Sequence, residues 1–179
     1  MWPKRALQSE LADATQGVVL ASKGRALPPE NLHITLAFLG SVPVKDIGQV
    51  EDVAGRVAGE LQGKQVQIAL DVVEYWKKAQ LLCATAGGEH LDPGAVLLAN
   101  TLKSHLVAAG FTPDLKPFRP HVSLARNVVR FARVTEMKPV AWTFTDFALV
   151  ESKTMPEGAV YAVLGRFPFV PGNVRGCTT

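Results

Sequence analysis

Cysteine is almost absent from this chain: two in 179 residues, Cys83 in a strand-like segment and Cys177 in a polar tail. A disulfide framework and a Cys-x-x-Cys site therefore have no support, and a reducing compartment is the expected home. No apolar run approaches the roughly 18 residues that span a bilayer. The first residues also lack the charged region, apolar stretch and cleavage site of a secretory leader. We expect a soluble, cytoplasmic protein with no membrane contact. Neither G-x-x-x-x-G-K-[ST] nor G-x-G-x-x-G occurs, which removes the usual sequence support for nucleoside triphosphate hydrolysis and dinucleotide redox chemistry. Carboxylates are missing from Lys116 through Val134, where Lys116, Arg119, Arg126, Arg130 and Arg133 fall. A positive field beside His121 favours an anionic, phosphate-bearing substrate; a solvated basic loop is the plainer alternative.

What is present is enough to build a core. With 47% hydrophobic residues and 20% charged ones, the length favours one domain or two intimately packed halves. Apolar residues at helical spacing predict helices over Pro3–Gln16, Val44–Leu61 and Pro93–Ala109, the last with Leu97, Leu98, Leu102, Leu106 and Val107 inward and Gly110 as its C-cap. Alternating patterns predict strands at Val66–Val72, Gln80–Thr85, Trp142–Glu151 and Ala159–Phe167, with a frayed tail after Pro171. Strands succeed one another within each half. An α+β domain of largely antiparallel sheet fits this order better than a doubly wound parallel fold.

Two segments carry chemistry, and they are near copies of each other. Asn31-Leu32-His33-Ile34-Thr35-Leu36-Ala37-Phe38-Leu39-Gly40 and Arg119-Pro120-His121-Val122-Ser123-Leu124-Ala125-Arg126 each hold a histidine, an aliphatic, a small hydroxyl residue and another aliphatic. The two histidines lie about half the chain apart. Side chains alternate along a strand, so His33 shares a face with Thr35 and His121 with Ser123. Ile34, Leu36 and Phe38, like Val122 and Leu124, turn to a core. Two imidazoles facing each other can serve as acid and base near neutral pH. Neither motif supplies a third His, Asp or Glu, so no metal site is expected. His90 and His105 lack a hydroxyl two residues on and read as surface residues.

In their longer context the two segments resemble the paired signatures of the 2H phosphoesterases, and most closely the RNA 2′,3′-cyclic phosphodiesterases, also called 2′-5′ RNA ligases. The likeness covers most of the chain, since Trp76–Ala86 and Val150–Phe167 resemble the family's strand pairs. It implies two pseudo-symmetric lobes of mainly antiparallel sheet with outer helices around a central cleft, formed by residues 1–179 as a single bilobal domain. The family opens with an apolar strand leading into a Trp-Pro pair; this sequence starts at Met1-Trp2-Pro3, so that strand is expected to be missing. The implied reaction is hydrolysis of RNA or nucleotide 2′,3′-cyclic phosphodiesters to 2′-phosphomonoesters, with 2′-5′ ligation as its reverse. His33 would be the proton donor and His121 the proton acceptor. Thr35 and Ser123 would hydrogen-bond the phosphoryl oxygens, with Arg126 and Arg119 as further substrate contacts and no cofactor. Strict alternation puts Arg126 on the face opposite His121, so it reaches the cleft only if the strand bends near Ala125. The partner would be cyclic-ended RNA or a cyclic nucleotide, with no obligate protein partner. Two alternatives stay open: the same chemistry on a 2′-5′ oligonucleotide or ADP-ribose cyclic phosphate, and a noncatalytic RNA-binding module.

Overall fold

The computed structural model describes residues 1–61, 64–87, 92–129, 135–155 and 158–169. The expected junction around Pro156, the tail after Pro171, His90, Arg130, Arg133 and Cys177 lie wholly or partly outside them. Three helices, α1 (Arg5–Ala21), α2 (Ile47–Glu60) and α3 (Pro93–Ala108), accompany seven strands: β1 (Arg25–Ala26), β2 (Val66–Trp76), β3 (Leu81–Thr85), β4 (His121–Arg126), β5 (Thr135–Phe144), β6 (Asp146–Met155) and β7 (Gly158–Pro168). The strand pairs are antiparallel, in a five-stranded sheet ordered β1-β4-β3-β2-β5 and a β6-β7 pair. The α+β expectation holds.

The pairing departs from the order read along the chain. The strand pair of the first half, β2-β3, flanks the second histidine strand, β4. The β6-β7 pair of the second half lies beside the first histidine: Tyr161 meets His33 edge-on and the Asn31 side chain reaches the Ala159 carbonyl. Each half thus lends its strands to the other's histidine. The stretch expected as one strand from Trp142 is two, turning at Thr145, because β5 pairs along β2 through Trp142↔Ile68 and Phe144↔Val66. Non-local pairing of this kind leaves no trace in local periodicity.

The first histidine segment is extended but forms no ladder. Ile34 exchanges backbone hydrogen bonds with Met1 alone, and a bend at Leu36 ends the alternation. Ile34 and Leu36 are buried as expected, whereas Phe38 is 65% exposed because it follows the bend. On α3, Leu97 and Val107 also face solvent, and the buried stripe is Ala95, Leu98, Ala99, Leu102 and Leu106. Asp92 caps that helix through the Gly94 amide, and Gly110 ends it in the left-handed region.

Helix α1 holds the unladdered segment in place. Leu11 is fully buried, and Gln8, on the same face, is only 3% exposed. The Gln8 amide donates to the carbonyls of Glu30 at 3.0 Å and Leu32 at 3.1 Å, the two positions that bracket Asn31. The helix is itself tied to the five-stranded sheet by Trp142, whose indole N–H donates to the Leu7 carbonyl at 3.2 Å. After α1 the chain turns at Lys23, which has φ of 54°, into Gly24. A Cβ there would stand 2.6 Å from Val128 Cγ2 and 3.0 Å from the Arg126 carbonyl, so only glycine lets β1 lie against β4.

Replacing Gln8 by leucine keeps the volume but strands two carbonyls, and we expect it to lower unfolding free energy by about 2 kcal/mol. The exposed control Gln16→Leu should stay within about 0.5 kcal/mol of the parent. Urea unfolding of both variants decides the matter; equal midpoints would mean the amide clamp contributes nothing.

Candidate active site

A cleft of about 960 Å³ runs between the two sheets, and His33, Thr35, His121, Ser123 and Arg126 all line it. The structure therefore brings together five of the six residues singled out in the sequence. His33 and His121 are bound in the same way. Nδ1 of His33 lies 2.7 Å from the Asn31 carbonyl, and Nδ1 of His121 lies 2.8 Å from the Arg119 carbonyl. A carbonyl can only accept, so Nδ1 carries the hydrogen in both rings. Nε2 is then the working nitrogen of each: a lone pair in the neutral ring, a donor in the imidazolium.

A tryptophan packs on each histidine. Trp2 stacks on His33 with ring centroids 4.7 Å apart and planes 15° apart, and Tyr161 meets both rings, 5.0 Å from His33 edge-on and 5.5 Å from Trp2. Trp76 lies 4.5 Å from His121. Arg119 also lies over the Trp76 ring, its Cζ 5.3 Å from the centroid. Arg119 Nη2 bonds both carboxylate oxygens of Glu74, at 2.7 and 2.6 Å, and Glu74 accepts the Trp76 indole N–H at 3.1 Å. The Arg119 guanidinium is thus committed to Glu74 and Trp76 and does not line the cleft. What Arg119 gives the site is its carbonyl, held under His121 by its own anchored side chain.

Arg126 reaches the cleft for a reason alternation conceals. The β3-β4 register pairs Cys83 with Ser123 but Leu82 with Ala125, so Leu124 is an extra residue on β4. Leu124 and Ala125 are both buried, one after the other. This bulge inverts the phase of the strand and turns Arg126 to the face of His121 and Ser123. Cys83 sits beneath the site, buried, its thiol pushed up to about 12 by burial, so it is no nucleophile. His105 lies elsewhere, on α3 between the Thr101 carbonyl and Glu60. Among the described residues no three His, Cys, Asp or Glu side chains converge as metal ligands, and no helix is long and apolar enough to cross a membrane.

Comparison with known proteins fits this geometry. The sequence pattern of the LigT like phosphoesterase family matches residues 2–80. The RNA 2′,3′-cyclic phosphodiesterase of Thermus thermophilus is 30% identical over 152 residues, covering 80% of this chain and 74% of that protein. This chain belongs to the LigT-like phosphoesterases. The Escherichia coli protein of the same name is 29% identical over 147 residues, covering 80% of this chain and 79% of its own length. The crystal structure of Escherichia coli LigT with 3′-AMP superposes with a TM-score of 0.78 at 22% identity, over 95% of this chain and 94% of the other, and shows the shared fold.

Burial pushes the His33 imidazole down to about 4; the Asn31 carbonyl opposes the shift, while the N-terminal ammonium, His121 and Arg126 add to it. In the unliganded chain His33 is neutral at pH 7. Protonation therefore favours the unfolded chain, where the ring titrates near its ordinary 6.5. The stability tied to the neutral ring is complete above pH 6.5, declines as the pH falls from 6.5 to 4, and levels off below. The full loss corresponds to about 3 kcal/mol. Urea unfolding of the parent and of His33→Asn across this range should show the parent losing about that much more than the variant; parallel profiles would contradict it.

Proposed function

We propose that this chain hydrolyses 2′,3′-cyclic phosphodiesters at RNA ends or on nucleotides, leaving 2′-phosphomonoesters, with residues 1–179 acting as one bilobal domain. One observation carries the reading. Two histidines line one cleft, each with Nδ1 fixed on the carbonyl two residues before it and a hydroxyl residue two positions after it. Hydrolysis of a cyclic phosphodiester asks for water deprotonated on one side of phosphorus and a ribose oxygen protonated on the other, and paired Nε2 atoms supply both. Relatives named as RNA 2′,3′-cyclic phosphodiesterases support the choice of substrate.

In this reading Nε2 of His121 takes the proton from water and Nε2–H of His33 protonates the departing 3′ oxygen. The hydroxyls of Thr35 and Ser123 and the Arg126 guanidinium hold the phosphoryl oxygens as charge gathers on them. No bound metal or cofactor is called on. The acid role asks for a charged His33, whereas the empty site holds it neutral. The anionic substrate resolves the conflict. Its negative charge offsets the cost that burial, and to a smaller degree the neighbouring positive groups, put on the His33 cation, so the acid is loaded when the phosphodiester binds. Ligation through the same residues puts a 5′-hydroxyl where water stood. The hydroxyl attacks the cyclic phosphorus and gives its proton to His121, and the 3′ oxygen leaves with a proton from His33, so that a 2′-5′ phosphodiester forms and the reverse step cleaves it. A cytoplasmic setting, where RNA ends are plentiful, suits the activity.

Incubating the purified chain with adenosine 2′,3′-cyclic phosphate and with cyclic-ended RNA, in excess chelator, should yield the 2′-phosphate. His33→Ala and His121→Ala should each lose a factor of about 10² to 10⁴ in rate. A 3′-phosphate product, or turnover that survives both substitutions, would overturn the proposal.

The pH profile alone cannot apportion the two roles, because an acid-base pair and its reverse protonation give the same bell-shaped curve. A substrate with sulfur in place of the bridging 3′ oxygen separates them, since a thiolate leaves without a proton. His33→Ala should recover most of its rate on that substrate and His121→Ala should not. The opposite pattern would exchange the assignments.

A further inference from the structure

Among the described residues, the charged side chains other than the histidines that line the cleft are Arg25, Arg126 and Glu151. Glu151 pairs with Lys153 at 3.1 Å. The two arginines stand together. Arg25 on β1 is the direct cross-strand partner of Arg126 on β4, and Ala26 that of Ala125. Directly opposed residues of an antiparallel pair project to one face. The Leu124 bulge that turns Arg126 into the cleft therefore sets Arg25 in the same wall, one strand spacing further from the histidines, about 4.8 Å. Like charges placed opposite each other in this way destabilise a strand pair, and an anion bound by both would offset that repulsion. The chain nevertheless builds this rung with care: only glycine fits at position 24, against Val128 and the Arg126 carbonyl. On the far side the Arg25 guanidinium comes within 3.5 Å of where a Cβ of Gly158 would lie, so it spans the cleft's end towards the opposite sheet.

We propose that Arg25 and Arg126 form a second phosphate subsite, which takes the phosphate ester on the 5′ oxygen of the ribose whose cyclic phosphate lies between the histidines. The proposal rests on the phosphodiesterase reading for the identity of the ligand. A cyclic phosphate closes the 3′ end of an RNA, so the rest of the strand leaves through its 5′ phosphate. Arg126 reaches both positions from β4, and Arg25 meets only the outer one. The subsite makes Arg25 a specificity determinant: it rewards substrates that continue as a strand, or carry a 5′ phosphate, over simple cyclic nucleosides. Leu27 and Leu81 line the cleft as well and give the subsite apolar flanks, which strengthens the charge-assisted bonds made there.

The test compares adenosine 2′,3′-cyclic phosphate with the same compound bearing a 5′ phosphate, and with a cyclic-ended diadenosine in which that phosphate is a diester. The parent should show kcat/KM at least about tenfold higher for the two substrates with the added phosphate, and the advantage should shrink as salt rises. Arg25→Gln should abolish the advantage while the unphosphorylated substrate stays within about threefold. Because Arg25 makes an interaction of its own in the unliganded chain, Arg25→Lys is included and should keep part of the preference. Equal losses on all three substrates, or a preference that survives Arg25→Gln, would overturn the subsite. An advantage confined to the monoester would assign it to 5′-phosphorylated nucleotides and remove RNA strands from the claim. Binding supplies a readout free of turnover. Adenosine 2′,5′-bisphosphate should bind the parent about tenfold more tightly than adenosine 2′-phosphate, and the two should bind Arg25→Gln alike. If the parent hydrolyses nothing yet keeps this difference, the phosphodiesterase reading fails and the subsite stands; if it hydrolyses all three without preference and binds both products equally, the subsite fails and the reading stands.

Discussion

The chemistry of this fold depends on one short interaction made twice: an imidazole Nδ1–H donating to the main-chain carbonyl two residues before it. In His33 the acceptor is Asn31 and in His121 it is Arg119. Such a bond does three things together. It fixes the tautomer, it aims Nε2 outward, and it tolerates both protonation states, because a carbonyl accepts from the imidazolium more strongly than from the neutral ring. Catalysis by an acid and a base therefore needs no difference between the two mounts; the surroundings set the difference. Burial under Trp2 and Tyr161 makes the His33 cation costly.

The rest of the framework keeps those two carbonyls still, by different means. Around His33 no ladder holds the backbone, and a buried glutamine from α1 does the work through the carbonyls of Glu30 and Leu32. Around His121 the backbone belongs to a central strand, and the residue that needs fixing is Arg119, whose side chain is clamped by Glu74 and stacked on Trp76. The ion pair of that clamp serves geometry rather than binding. The separation matters, because a guanidinium left free beside His121 would repel the proton that the base must take up.

The chemistry was more legible in the sequence than the topology was. The histidine and hydroxyl residues form a local pattern, and a pattern of period two names the face they share whether or not a partner strand is present. Helices α2 and α3 and the strands β2, β3 and β7 were likewise written in local periodicity. Strand pairing was not: nothing in the residues of β5 says that it returns to β2, or that the β6-β7 pair faces the first histidine. Arg126 shows the limit most sharply. Alternation sends it to the core side, and one extra residue, Leu124, reverses the result. A bulge is a property of the pair of strands, set by Cys83 and Leu82 opposite, so the sequence of β4 alone does not contain it. Arg119 shows the converse, since its position beside His121 suggested a substrate contact until Glu74, 45 residues away, was brought against it. Gln8 reads as a polar interruption on an apolar helix face, and only the carbonyls of a distant loop explain it.

These placements have a joint electrostatic consequence. Among the described residues the cleft face of the five-stranded sheet carries Arg25, Arg126 and His121 and no carboxylate, and His33 looks across at it from beside Trp2 and Tyr161. Left empty, such a site settles by keeping His33 uncharged. An anion entering between the sheets offsets the cost of burying the cation and lets a further positive charge form where the leaving oxygen will be. Substrate binding and acid loading are then one event, and a neutral ligand of the same shape would meet a site whose acid is missing its proton. Selectivity for phosphate is thus built into the protonation of the histidine as well as into the arginines, which explains why a site can be both buried and cationic without paying for the charge until its substrate arrives.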